Sequence, residues 1–91
     1  MSYTLIFTDS YKKRAKRFAK KHPELAGQYR KVLYLLKENP QYPSLRLHLL
    51  KGQLQDVHSV SINMSYRITL ELLIIEKEII LINIGSHDDV Y

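Results

Sequence analysis

Apolar residues recur at helical spacing in two neighbouring segments of the N-terminal half of the chain. The two series are Tyr11, Ala15, Phe18 and Ala19, then Leu25, Tyr29, Val32, Leu33 and Leu36. His22-Pro23 separates the series and Asn39-Pro40 follows the second, and proline disfavours helical geometry in the residue before it. The pattern therefore predicts two amphipathic helices that form an antiparallel hairpin.

Segments of β type flank this hairpin. "YTLIF" at residues 3–7 precedes it, and "TDS" at residues 8–10 can cap the first helix. After it come "VHSVSIN", "YRITLELLII" and "EIILINIG", whose short links favour an antiparallel meander. Residues 39–56 are predicted as a structured loop, with a short strand where leucines alternate at 45, 47 and 49. The order β-α-α-β-β-β predicts an α+β fold, in which a helical hairpin packs on a small antiparallel sheet.

The length of 91 residues predicts a single domain that spans residues 1–91. The absence of cysteine excludes disulfides and thiolate metal sites and fits a reducing cytoplasm. The longest apolar runs are interrupted by Glu71, Glu76, Lys77 and Glu78, and the N-terminus does not read as a signal peptide. We therefore expect a cytoplasmic protein without a membrane span, and the scattered histidines predict neither a metal site nor a cofactor.

The net charge of +5 is distributed unevenly. Residues 1–52 carry twelve Lys and Arg against three acids, whereas residues 53–91 carry two against six. This polarity predicts a polyanionic partner for the N-terminal half, with nucleic acid favoured over a membrane surface. The plainer interpretation is a solvated basic helix.

Several side chains could act on a phosphodiester. Cleavage of RNA requires a base for the 2′-hydroxyl, an acid for the leaving oxygen and cations around the phosphorus, and it requires no metal. Histidine suits the proton transfers and arginine suits the phosphate. The candidates are Arg46, His48, Lys51, Arg67, His87 and Tyr91. Each also has a structural interpretation: Arg67 as a surface ion-pair partner, His48 as a loop cap, and Lys51 and His87 as solvated side chains.

Four segments in order, "LRLHLLKG", "SVSIN", "YRITLEL" and "INIGSHDDVY", resemble the RelE/ParE superfamily of toxins from bacterial type II toxin–antitoxin systems. The resemblance covers nearly the whole chain, including the basic first helix. It implies a microbial-RNase-like fold, a cognate acidic antitoxin, and operator DNA bound through that antitoxin. RelE-like members cut mRNA in the ribosomal A site, so the implied activity is a metal-independent, ribosome-dependent endoribonuclease.

The resemblance also implies roles for particular residues. Arg67 matches the strand arginine that holds the scissile phosphate, His87 a C-terminal acid or base, and Tyr91 a terminal aromatic that orients the substrate. His48 falls in the loop where members place further proton-transfer groups. The implied RNA-binding residues are Lys12, Lys13, Arg14, Lys16, Arg17, Lys20, Arg46 and Lys51. The tail should then be ordered, with His87 and Tyr91 near Arg67.

One segment departs from the family pattern. Many relatives have an arginine where this chain has Ser61, and a tryptophan near His58. The change removes an expected phosphate contact and leaves three alternatives: a weaker nuclease, a site shifted to His58, or an inactive antitoxin-binding relative. A further alternative is a ParE-like inhibitor of DNA gyrase, since such members share the fold without the nuclease groups.

Overall fold

The computed structural model describes residues 2–50 and 57–86, and in these two ranges a helical pair precedes most of a β-sheet. Strand β1 (Thr4–Phe7) leads into helix α1 (Asp9–Lys21). A 3-10 turn at Pro23–Leu25 then leads into helix α2 (Ala26–Glu38). Strands β2 (His48–Leu49), β3 (Val57–Ser61), β4 (Tyr66–Leu73) and β5 (Glu78–Ser86) follow. The predicted order is therefore observed.

Helix α1 begins at a side-chain cap that also ties it to the sheet. The Thr8 hydroxyl accepts a hydrogen bond from the Tyr11 amide at 3.3 Å and donates one to the Leu81 carbonyl at 2.9 Å. Threonine is a favoured cap because its oxygen satisfies an amide that has no partner in the first turn. One of the three predicted capping residues thus fixes where α1 starts relative to β5.

The five strands form one sheet in the order β1-β5-β4-β3-β2. Strands β2 to β5 are antiparallel to their neighbours, which the short links predicted for β3, β4 and β5, and a register shift occurs between Thr69 and Leu70. Strand β1 instead pairs with β5 in parallel, with Thr4 opposite Glu78. The sheet is therefore mixed, because β1 reaches β5 through a long intervening chain that imposes no hairpin geometry. The α+β class and the helical hairpin on the sheet are confirmed.

The two faces of the sheet differ in chemistry. One face meets the helices and supplies Val60, Ile68, Leu70, Leu72, Ile79 and Leu81 to a core completed by Tyr11, Phe18, Val32, Leu36 and Leu45. Side chains alternate between faces along a strand, so the residues between these core positions lie on the other side. We call that side the polar face and define it by His48, Ser59, Ser61, Arg67 and Thr69.

The segment between α2 and the described part of the meander is mostly non-repetitive. A 3-10 turn occupies Pro43–Leu45, so the predicted strand shortens to the two residues of β2. Proline fixes its own φ and favours the first position of such a turn, which ends the alternation expected at Leu45. Within the described ranges, no helix is long and apolar enough to cross a membrane.

Candidate nucleic-acid interface

Arg67 lies on the polar face, near the end of the sheet where β5 finishes. Its Cα is opposite Ser61 of β3 and Gly85 of β5. These three residues share one face, because residues directly opposite each other on neighbouring strands do so. The side chain is half-buried with a buried Nε, and Ser61 is buried, with its hydroxyl donating to the Asn63 carbonyl at 2.7 Å. The position of Ser61 beside Arg67 shows why an arginine at 61 would add a second cation to the same patch.

His48 shares the polar face with Arg67. It lies opposite Ser59, which lies opposite Thr69, two residues along β4 from Arg67. Strand spacing and rise place the Cα atoms of His48 and Arg67 roughly 12 Å apart. His48 is exposed, whereas Ser59 and Thr69 are buried. The two side chains therefore lie on the same face of the sheet, two strands apart.

His58 lies on the opposite side of the sheet. Its Cα is opposite Leu70, and Leu70 and Val60 belong to the core between sheet and helices. Alternation along the strands therefore directs the His58 and Arg67 side chains to opposite faces, and the alternative of a site shifted to His58 stays a prediction. His87, Tyr91 and Lys51 lie outside the described residues. The proximity of His87 and Tyr91 to Arg67 therefore stays a prediction.

The basic side chains of α1 are all exposed and spread around the helix. Two stripes lie roughly 130° apart around the helix axis: Lys12, Lys16 and Lys20 on one flank, and Arg14, Arg17 and Lys21 on the other. Only the second stripe faces the sheet. Arg46, a further predicted RNA-binding residue, is exposed and follows the 3-10 turn with a left-handed φ of 51°.

A cavity of about 710 Å³ separates the Arg14 stripe from the end of β5. We call it the cleft. It is lined by Arg14, Arg17 and Lys21, by the rings of Phe18, His22 and Tyr66, and by β5 residues 83–86. The cleft lies on the helix side of the sheet, because Tyr66 is opposite Ser86 and packs against Phe18. It is therefore separate from the polar face, although both meet at the same end of β4 and β5.

The three rings of the cleft pack against one another. The His22 and Tyr66 centroids are 4.5 Å apart, those of Phe18 and His22 are 4.8 Å apart, and Phe18 meets Tyr66 edge-on at 5.2 Å. Offset and edge-on aromatic contacts of this kind are favourable and hold each ring in place. His22 Nδ1 also lies 3.5 Å from Glu24 Oε2. The rings therefore form a fixed wall.

The sequence interpretation missed the cleft. Lys21 is the last residue of the helix that was predicted as RNA-binding, and His22 caps it. Nothing in the local spacing joins them to Tyr66, which is 44 positions beyond His22. The only available signal was that Tyr66 and Arg67 adjoin in a strand and so point to opposite faces. Packing of α1 on β5 then determines which cations face Tyr66.

No family model and no curated protein matches the sequence, but solved structures match along nearly its full length. A chain of the E. coli DinJ-YafQ toxin-antitoxin complex is 16% identical, with 100% of this chain and 99% of that chain covered and a TM-score of 0.81. A metal-bound toxin from Helicobacter pylori is 25% identical with full coverage of both chains and a TM-score of 0.80. The YoeB/ParE toxin from Agrobacterium tumefaciens is 16% identical over 92% of this chain and 98% of that chain, with a TM-score of 0.74.

These structures define the class of fold. The chain has the fold of the YafQ and YoeB/ParE toxin structures, with two helices packed on a five-stranded mixed sheet. The neighbouring structures are of toxins, and the fold that the resemblance of the four sequence segments implied is confirmed.

Proposed function

We propose that this chain is the toxin of a type II toxin–antitoxin system and acts as an endoribonuclease on ribosome-bound mRNA. The observation that carries the proposal is the placement of Arg67 beside Ser61 and Gly85 on the polar face of a toxin-like fold. A half-buried arginine in a fixed strand can present two parallel donors to a phosphate. The DinJ-YafQ complex supports an antitoxin as the partner.

The proposed reaction is an internal transesterification. A base removes the proton of the 2′-hydroxyl, the O2′–P bond forms as the P–O5′ bond breaks, and an acid protonates the leaving 5′-oxygen. The products are a 2′,3′-cyclic phosphate and a 5′-hydroxyl. Arg67 stabilises the charge on the phosphorane, and His48 and His87 exchange the protons. Tyr91 orients the nucleotide, while Lys51, Arg46 and the α1 cations hold the surrounding RNA.

The test is cleavage of mRNA by the purified protein on programmed ribosomes, read by primer extension and by the chemistry of the RNA ends. We expect Arg67→Ala to lower the rate at least 100-fold, because removing one such donor typically has that effect. Arg30→Ala is the matched control, since Arg30 is exposed on α2 and removes the same charge. Wild-type protein that generates no new RNA ends, or an Arg67→Ala variant that cleaves like Arg30→Ala, would contradict the proposal.

The histidines give a second, independent comparison. His48→Gln and His87→Gln should each slow cleavage, whereas His58→Gln should leave the rate unchanged because His58 faces the core side of the sheet. Thermal unfolding of each variant controls for loss of fold. Unchanged translation together with altered plasmid supercoiling after induction in a bacterial host would favour the gyrase alternative, which the YoeB/ParE neighbour keeps relevant.

A further inference from the structure

We propose that the cleft between α1 and the ends of β4 and β5 is a second RNA subsite, which takes a nucleotide of a single strand adjoining the segment on the polar face. The choice of RNA as the ligand rests on the proposed function. The subsite itself rests on the charge, the rings and the position of the cleft.

The charge of the cleft calls for an anionic ligand. Arg14, Arg17 and Lys21 follow one another at helical spacing along a single flank of α1, so their like charges are close together. No carboxylate is among the described residues that line the cleft. A phosphodiester that enters between these side chains relieves their repulsion, and the two guanidinium groups can each bind it in bidentate fashion.

The rings of the cleft provide what a base requires. Unstacked bases bind to aromatic faces and to arginine planes, and the rings of Tyr66 and His22 line the cleft together with the two arginines. Ser86, which is opposite Tyr66, places a hydroxyl at the same wall. The volume of about 710 Å³ lies within the range of small-ligand sites, so a nucleotide can enter without a change of backbone.

The position of the cleft connects it to the polar face. Tyr66 is opposite Ser86 on the helix side, and the next residue, Arg67, is opposite Gly85 on the polar face. A strand of RNA held at Arg67 can therefore pass over this end of the sheet and place a neighbouring base against Tyr66. The cleft would act as a flanking subsite that selects single-stranded over paired RNA, because a stacked and paired base cannot reach the rings.

An acidic peptide is the competing ligand, because it matches the same charge. It offers no flat group for the wall of rings, and it would be held by charge alone. We therefore assign the cleft to RNA and use an acidic peptide as a competitor in the experiment. Tighter or equal binding of poly-glutamate of matched charge, lost in the same variants, would overturn the assignment.

The experiment measures binding of a fluorescently labelled single-stranded oligoribonucleotide over a series of salt concentrations. The test variant combines Arg14→Ala, Arg17→Ala and Lys21→Ala, and the control combines Lys12→Ala, Lys16→Ala and Lys20→Ala. Both remove three exposed cations from one helix, so net charge and helix propensity are matched. We expect the test variant to lose roughly 30-fold in affinity and about two units of salt slope, from about 0.7 per phosphate contact. The control variant should lose less than half as much binding free energy and less than half as much salt slope as the test variant.

The rings are tested without mutation first. An oligoribonucleotide with abasic sites should bind the wild-type protein roughly tenfold more weakly than the intact strand, as expected for loss of stacking. Tyr66→Leu should abolish that difference while its unfolding midpoint reports the fold. Equal binding of the two strands by the wild type, or equal losses in the two triple variants, would overturn the subsite.

The two proposals fail separately. A parent protein that shows this binding pattern but never cleaves mRNA retains the subsite and loses the nuclease assignment. A parent that cleaves mRNA while the two triple variants bind RNA alike retains the nuclease assignment and loses the subsite.

Discussion

Removal of the Thr8 hydroxyl should destabilise the fold by disconnecting α1 from β5. In Thr8→Val the volume of the side chain is kept, while both hydrogen bonds of the hydroxyl are lost. The cap on the Tyr11 amide contributes about 1 kcal/mol. The bond to the carbonyl of Leu81, a fully buried residue, contributes about 1 kcal/mol more. The free energy of unfolding should therefore fall by about 2 kcal/mol.

Urea denaturation followed by circular dichroism measures this loss. The midpoint should fall at an unchanged m-value, and the melting temperature of a domain of this size should drop by roughly 8–16 °C. Thr8→Ser is the matched control, because serine keeps a hydroxyl that can accept from Tyr11 and donate to Leu81. Its loss should remain below about 1 kcal/mol. Equal stability of the valine and serine variants, within about 0.5 kcal/mol, would refute the assigned role of the hydroxyl.

Two predictions concern the buried tyrosine pair, whose hydroxyls share a hydrogen bond of 3.0 Å. Tyr29→Phe should lower the free energy of unfolding by about 2 kcal/mol, because it leaves the hydroxyl of fully buried Tyr11 without a partner. Tyr11→Phe should lower it by only about 1 kcal/mol, because the hydroxyl of half-buried Tyr29 stays near water. Equal losses in urea denaturation would contradict this. Burial raises the pKa of both tyrosines. Above pH 10 the unfolded chain therefore releases protons that the folded chain keeps. The stability that is present below that pH is lost as the pH rises. Urea denaturation from pH 9 to 11.5 measures the fall in the free energy of unfolding. This fall should be less steep in Tyr11→Phe than in the parent, by up to about 1.4 kcal/mol per pH unit. Parallel pH profiles for the variant and the parent would refute the prediction.

The sequence predicted the elements well because their signals are local. Helical spacing of apolar residues located α1 and α2, and proline at 23 marked the break between them. Short links predicted the antiparallel order of β3 to β5. The parallel pairing of β1 with β5 joins residues more than 70 positions apart, and no local pattern specifies it.

The candidate site was likewise predictable only where the signal is local. Period-two alternation in "YRI" was enough to place Arg67 and Tyr66 on opposite faces, and the family resemblance gave Arg67 its predicted role. Which cations of α1 face Tyr66 could not be predicted, because exposed lysines and arginines surround the helix almost evenly. Docking of α1 on β5 made that choice, turning Arg14, Arg17 and Lys21 toward the cleft.

The sequence by itself therefore determined the secondary structure, the class of fold and the charge of the first helix, all of which depend on neighbouring residues. Only the tertiary structure decided that His58 faces the core, that His48 and Arg67 share the polar face, and that the cleft exists. These features arise from strand register and helix packing, in which residues distant in the chain are brought together to bury the apolar core.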